Sequence, residues 1–134
     1  MFSISIQPRF GDMDFLGHIN NTTLALWFET ARTPLFRIFV PDLRFDLKTF
    51  HLIMAHTDYD FVDELHFQYD VEIRSWISRI GNKSFTVYHE AWQEGRIGAK
   101  GNAVIVHYDF MSKQSFPIPE DKKKLLAEHL LGAG

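Results

Sequence analysis

The chain is organised around one stretch, RFGDMDFLGHINN at residues 9–21, which leads directly into the apolar segment 22–40. The stretch contains two carboxylates, an imidazole, two adjacent asparagines and two glycines. A loop that only reverses the chain direction does not need so many ionisable and hydrogen-bonding groups. Asn20, Asn21 and Thr22 can each cap a helix by accepting a hydrogen bond from one of its first N–H groups. The stretch therefore predicts a functional loop that ends at the start of a helix.

The segment after this loop has the spacing of a buried helix. Further apolar residues widen its apolar face almost to the full circumference, so we expect the helix to be buried on most sides. Pro34 predicts either a kink or a restart of the helix at its first turn. Glu29 and Arg32, three positions apart, are expected to form an intrahelical or interface ion pair, and a catalytic role for Glu29 is the alternative. The residues with helical spacing are Leu24, Trp27, Phe28, Ala31, Leu35 and Ile38.

Composition excludes several classes of protein. The 134 residues suit one domain, and 46% of them are apolar, which is far from the composition of disordered chains. The chain has no cysteine, so a disulfide framework, a cysteine nucleophile and thiolate metal sites are excluded. A net charge of -3 argues against a nucleic-acid partner. No stretch has the length of a membrane span and no basic leader precedes an apolar run, so we expect a cytoplasmic protein without membrane contact.

Most of the remaining chain alternates between apolar and polar residues, as strands do. We predict strands at 3–7, 52–62, 67–77, 85–92 and 97–111, with turns at 81–83 and 93–96. Residues 112–120 are expected to leave the sheet, and a small helix is predicted at 120–131. One buried helix with antiparallel strands favours an α+β fold, in which the sheet wraps around the helix as in the hotdog architecture. We expect a single domain at 1–134, with 119–134 as a C-terminal tail helix.

Three segments carry a resemblance to a known family. DMDFLGHINN at 12–21 and FETAR at 28–32 resemble the opening signature of the hotdog acyl-CoA thioesterases of the 4-hydroxybenzoyl-CoA thioesterase type. IGNKSF at 80–85, with the strand that follows Glu94 and Gly95, is similar to the sheet and hairpins of that family. The similarity extends to about Pro119. HINN at 18–21 resembles the branch that acts on aliphatic acyl thioesters.

The resemblance implies hydrolysis of an acyl-CoA to the free acid and coenzyme A, without a cofactor. It places the catalytic carboxylate at Asp14 and the backbone N–H that polarises the thioester carbonyl near Asn21. It also implies a homodimer joined edge to edge, often a dimer of dimers, with each site between subunits. Two alternatives stay open: an acyl-ACP thioesterase, and a non-catalytic module that binds acyl thioesters.

The chemistry of the loop agrees with this expectation and leaves individual roles open. Asp14 can act as general base or attack the thioester directly, or it can brace the loop. His18 can orient water or donate to the carbonyl, or serve as a structural hydrogen bonder. Gly17 can permit close approach of substrate, and Asn20 can hold substrate or cap the helix.

Outside the loop at 9–21, two residues are candidates for binding the ligand. Lys83 and Ser84, in the turn at 81–83 and directly after it, can contact the phosphates or pantetheine of coenzyme A, or can remain solvated. The histidines show no H-E-x-x-H spacing, so no metal site is predicted.

Overall fold

A computed structural model describes residues 1–132. No helix in this part of the chain is long and apolar enough to cross a membrane. The strands are β1 (Phe2–Ile6), β2 (Leu52–Phe61), β3 (Val71–Ile80), β4 (Ser84–Gln93), β5 (Arg96–Asp109) and β6 (Gln114–Ser115). The α-helices are α1 (Asn21–Ala31), α2 (Thr33–Phe39) and α3 (Glu120–Ala127), and a short 3-10 helix covers Phe10–Asp12.

The strands form one antiparallel sheet in the order β1-β3-β4-β5-β2, and β6 pairs with β5. The β4–β5 hairpin closes through Glu94 and Gly95, whose φ angles of 49° and 75° give the left-handed pair that a two-residue hairpin turn needs. The curled sheet packs on α1, and the predicted α+β hotdog fold is confirmed.

Helix α1 is seated closely against the sheet. Its inner face buries Leu24, Trp27, Phe28 and Ala31, as the helical spacing predicts. The prediction that the helix is buried on most sides is wrong for the described residues, because Leu26 is 57% exposed on the opposite face. The approach depends on Gly101 of β5, because a Cβ at that position would lie 2.7 Å from Phe28 Cε2. A glycine in the sheet thus lets the large aromatic ring reach the backbone.

Pro34 lies at the start of a second helix and does not kink the first one. Helix α1 ends at Ala31, and α2 begins at Thr33 with Pro34 in its first turn, where no N–H bond is lost. Arg32 is the residue between the two helices.

Two predictions about the strands are wrong. The strand predicted from residue 67 begins at Val71, because the Gln93 amide donates to the carbonyls of His66 and Tyr69 and holds the preceding residues as a loop. The segment 112–120 does not leave the sheet entirely, since β6 pairs with the end of β5. The tail helix α3 ends at Ala127, earlier than predicted, and residues 133–134 of the expected tail lie outside the described residues.

Candidate active site

The loop before α1 holds the Asp14 carboxylate in a defined position. Its Oδ1 accepts the backbone N–H groups of Leu16 (2.8 Å) and His18 (3.2 Å). Gly17 lies between them with φ of +81°, a backbone angle that most side chains disfavour. The Asp14 N–H also donates to the His18 carbonyl at 2.8 Å. Oδ1 is thus satisfied by the loop, whereas Oδ2 makes no hydrogen bond within residues 1–132.

The preceding acid has a structural role. Asp12 is buried, and its carboxylate accepts the Arg9 N–H at 2.8 Å and forms an ion pair with the Arg9 guanidinium at 3.2 Å. Burial by itself would raise the pKa of Asp12, but the hydrogen bonds and charge of Arg9 outweigh it and hold that pKa below its usual range. The Asp12 carbonyl accepts the Asn20 N–H at 2.8 Å, which ties the loop to the helix start.

The first turn of α1 leaves one donor unused. Asn20 is the N-cap, and its side-chain oxygen accepts the Thr22 N–H at 3.0 Å. Asn21 is the first helical residue, and its N–H makes no hydrogen bond within the described part of the chain. Such an amide adds to the positive end of the helix dipole and suits an oxyanion.

Asp14, His18 and Asn21 line one cavity of about 480 Å³. Gly17 and Asn20 belong to the same loop and cap but do not line it. The walls of the cavity are formed by apolar residues and by two further acids, Asp63 and Glu64, which follow β2. The other lining residues are Ile19, Leu24, Phe61, Val62, Asp63, Glu64, Leu65, Gly98 and Ala99.

Asp63 and Glu64 are polar residues of this cavity that sequence reasoning missed, and Glu64 contacts a predicted site residue. Its Oε2 lies 3.2 Å from His18 Nε2, and His18 packs edge-to-face on His66 with ring centroids 5.2 Å apart. In the sequence Asp63 and Glu64 have only the composition of a turn, so no local signal connects them to His18. The contact arises because the segment after β2 passes beside the loop.

Lys83 and Ser84 lie elsewhere in the same chain. Ser84 pairs with Val106 at one end of β4, whereas Ala91 pairs with Ala99, which lines the Asp14 cavity. Seven residues of strand separate the two ends, or about 23 Å. The structure does not bring Lys83 and Ser84 to the Asp14 cavity of their own chain, and their contact with coenzyme A stays a prediction.

No group of three or more histidine, aspartate or glutamate side chains within residues 1–132 is arranged to hold a metal ion.

The far end of α1 carries a second polar cluster. The ion pair predicted between Glu29 and Arg32 is absent from the described residues, because Arg32 turns inward and Glu29 stays exposed. Arg32 Nη1 lies 3.3 Å from His89 Nε2, and His89 Nδ1 lies 2.7 Å from Ser75 Oγ. This cluster is separate from the Asp14 cavity.

The chain matches known proteins over nearly its whole length. A family model described as the thioesterase-like superfamily matches residues 8–128. A predicted thioesterase from Bacillus stearothermophilus is 39% identical, with 99% of this chain and 98% of that chain covered and a TM-score of 0.92. A thioesterase from Thermus thermophilus, complexed with coenzyme A and Zn, is 25% identical, with 95% and 92% covered and a TM-score of 0.81. Among curated proteins, none matches.

The region of the family match contains the Asp14 loop, all of α1 and the strands from β2 to β5. It therefore includes every element that forms the cavity. The chain belongs to the thioesterase-like superfamily.

Proposed function

We propose that this protein is a cytoplasmic thioesterase that hydrolyses acyl-CoA to the free acid and coenzyme A. The observation that carries the proposal is the cavity at the start of α1, which the Asp14 carboxylate and Asn21 both line. Thioester hydrolysis needs a base or nucleophile and a donor for the developing oxyanion, and this cavity supplies both.

The carbonyl oxygen of the thioester would accept a hydrogen bond from the Asn21 N–H, which has no partner within residues 1–132. Asp14 would then act in one of two ways. As nucleophile, it forms a mixed anhydride and expels the coenzyme A thiolate; one water then opens the anhydride, which restores the Asp14 carboxylate and releases the free acid, and a proton of that water passes to the thiolate. As base, it takes a proton from water, the resulting hydroxide attacks the acyl carbon and expels the thiolate, and the thiolate then takes the proton from Asp14.

An isotope test can identify the nucleophilic route. Turnover in ¹⁸O-labelled water places ¹⁸O in the Asp14 carboxylate if the anhydride is opened at the aspartyl carbonyl. Label in the free acid alone, with none in Asp14 after many turnovers, is expected both from the general-base route and from an anhydride that is opened at its acyl carbonyl.

Coenzyme A as the thiol is supported by the Thermus thermophilus relative, which was solved with coenzyme A bound. His18 would orient the water or the carbonyl, with its Nε2 held by Glu64. Gly17 and Asn20 act through the shape of the loop and the helix cap.

The homodimer is also part of the proposal, and a dimer of dimers is the further assembly. Strand β2 is at one end of the sheet and, within residues 1–132, pairs only with β5. Ile53, Met54 and Phe61 are exposed on it. An unpaired edge with exposed apolar side chains favours pairing with a second copy.

Thiol release from short-chain, long-chain and aromatic acyl-CoAs, each compared with the matching acyl-ACP, tests this function. We expect turnover of acyl-CoA by a dimer, with the mass measured by sedimentation. Acyl-CoA that binds without thiol release would overturn the enzymatic proposal in favour of a binding module. Turnover confined to acyl-ACP would replace coenzyme A with the carrier protein.

A further inference from the structure

Arg32 is a buried cation with unused hydrogen-bond donors. Its residue is 4% exposed, yet it forms no ion pair with a carboxylate of residues 1–132. The one hydrogen bond of its side chain in this part of the chain joins Nη1 to His89 Nε2, and the fully buried Nε has no partner there. Buried donors without acceptors are unfavourable and uncommon in folded proteins.

His89 accepts from Arg32 and cannot balance its charge. Burial, with the Arg32 charge adding to it, lowers the pKa of His89 to about 3, so the ring is neutral near pH 7. A guanidinium only donates, so Nε2 is the acceptor and Nδ1–H donates to Ser75 Oγ. His89 also stacks on Phe28 with ring centroids 4.8 Å apart. Arg32 is therefore held in one orientation.

Arg32 lines a cavity of about 280 Å³ beside the edge strand β2. Most of its wall is apolar, formed by Phe36, Phe50, Leu52, Ile53, Met54 and Ile105. Burial lowers the pKa of Arg32, and Tyr59 and then Glu29 raise it in part. Glu29 is exposed and also lines the cavity. The charge of Arg32 is thus partly balanced at a distance, and what the guanidinium lacks is an acceptor atom.

We propose that this cavity binds the far end of an acyl group that carries an uncharged oxygen, a hydroxyl or keto group, with Arg32 as donor. The inference rests on the proposed thioesterase function and specifies its substrate class. An apolar wall suits the chain, and the arginine suits the oxygen. A carboxylate in the same place would be repelled by Glu29.

The acyl group would come from the site of the second copy. Phe61 lines the Asp14 cavity and Leu52 lines the Arg32 cavity, so the two cavities lie toward opposite ends of β2. Asn21 and Arg32, which also line them, are separated by about 17 Å along the helix of one chain. Antiparallel pairing of β2 with β2 about its middle places the Phe61 end of one copy beside the Leu52 end of the other. The Arg32 cavity of one subunit then adjoins the Asp14 cavity of its partner.

The test compares matched acyl-CoAs from butyryl to decanoyl that end in a methyl, a hydroxyl or a carboxylate group. At the best length we expect kcat/KM to favour the hydroxyl over the methyl ending by at least about tenfold, the effect of one hydrogen bond to a charged donor. Arg32→Met should remove the preference and keep hydrolysis of the methyl-ended substrate. Arg37→Met, which removes an exposed arginine of α2, is the matched control and should retain the preference.

Glu29→Gln tests whether Glu29 repels a carboxylate in the cavity. It should raise kcat/KM for the carboxylate-ended substrate alone. A wild-type preference for the carboxylate over the hydroxyl would overturn the proposal. The proposal would also be overturned if the methyl-ended substrate were hydrolysed as well as the hydroxyl-ended one or better, but the thioesterase function would then stand. If no acyl-CoA is hydrolysed at all, both proposals fail. Should Arg32→Met not fold, Arg32→Lys, which lacks the planar fork, is expected to weaken the preference.

Mixed dimers test whether the cavity serves the partner's site. Asp14→Asn subunits mixed with Arg32→Met subunits form one site in which Asp14 and Arg32 are both intact across the interface. In an equimolar mixture with random pairing, half of the dimers are mixed and each has one such site, so we expect the hydroxyl preference to return with about a quarter of the wild-type activity. If the mixture hydrolyses the hydroxyl and methyl endings equally well, as Arg32→Met does, Arg32 does not serve the partner's site and the inference is overturned.

Discussion

The two ends of helix α1 satisfy their polar groups in opposite ways. At the N-terminal end, Asp14 is half-buried, and its Oδ1 is bonded by N–H groups two and four positions later. At the C-terminal end, Arg32 is buried, and its partner His89 is 57 positions away on β4. The first end is built from local contacts and the second from contacts across the sheet.

The difference shows where each end is able to meet a ligand. Local bonds at the start of α1 position one carboxylate oxygen and leave the other oxygen and the Asn21 N–H unpaired within residues 1–132. At the far end, burial positions the arginine through His89 and Ser75 and leaves Nε unpaired. The N-terminal end therefore suits the reacting group and water of the proposed hydrolysis, and the C-terminal end suits the non-reacting part of the proposed substrate.

The largest expected effect comes from Asp14→Asn. The amide keeps an acceptor for the Leu16 and His18 N–H groups, so the loop should persist, but the base or nucleophile is lost. We expect kcat/KM to fall by about 10²–10⁴ with unchanged urea stability. Asp42→Asn is the matched control, since Asp42 also accepts the N–H two positions later, from Arg44 at 3.0 Å, and lies outside the cavity. Equal activity of both variants would remove Asp14 from the mechanism.

The polar cluster at the far end of α1 is tested by the pH dependence of stability. The folded pKa of His89 is about 3, below its ordinary 6.5, so between these values the unfolded chain binds the extra proton. Stability from the neutral ring is present above about pH 6.5 and is lost as the pH falls, by roughly 2 kcal/mol at pH 5. In urea unfolding, the free energy of unfolding of His89→Gln should fall less below about pH 6.5 than that of the wild type, because the titrating ring is gone. Some pH dependence should remain, because the other titrating groups are unchanged. Parallel profiles would contradict the assignment.

A smaller effect is expected at the helix cap. Asn20→Ala removes the acceptor for the Thr22 N–H and should lower the free energy of unfolding by about 1 kcal/mol. Asn20→Ser can still cap and should recover most of the loss. Because the cap is local, the acid profile of His89 should not change, and a change would mean that the two ends are coupled.

The smallest effect is expected from Glu64→Gln. Glu64 is largely exposed, and its amide replacement can still accept a hydrogen bond from His18. We expect a stability change below about 1 kcal/mol and a decrease in kcat/KM below about tenfold. Asp63→Asn, which loses a comparable exposed pair with Arg96, is the control. A decrease as large as that of Asp14→Asn would make Glu64 a catalytic residue.

The sequence by itself determined the order of the main elements and the loop before α1, with three candidate caps, and its resemblance to known thioesterases indicated the family. The element order and the loop follow from spacing, turn residues and capping groups, which depend on neighbours a few positions away. Only the tertiary structure decided that β3 begins at Val71, that Arg32 contacts His89 and not Glu29, and that Glu64 reaches His18. Strand register and packing determine such contacts between distant positions, and periodicity within one segment contains no information about its partner.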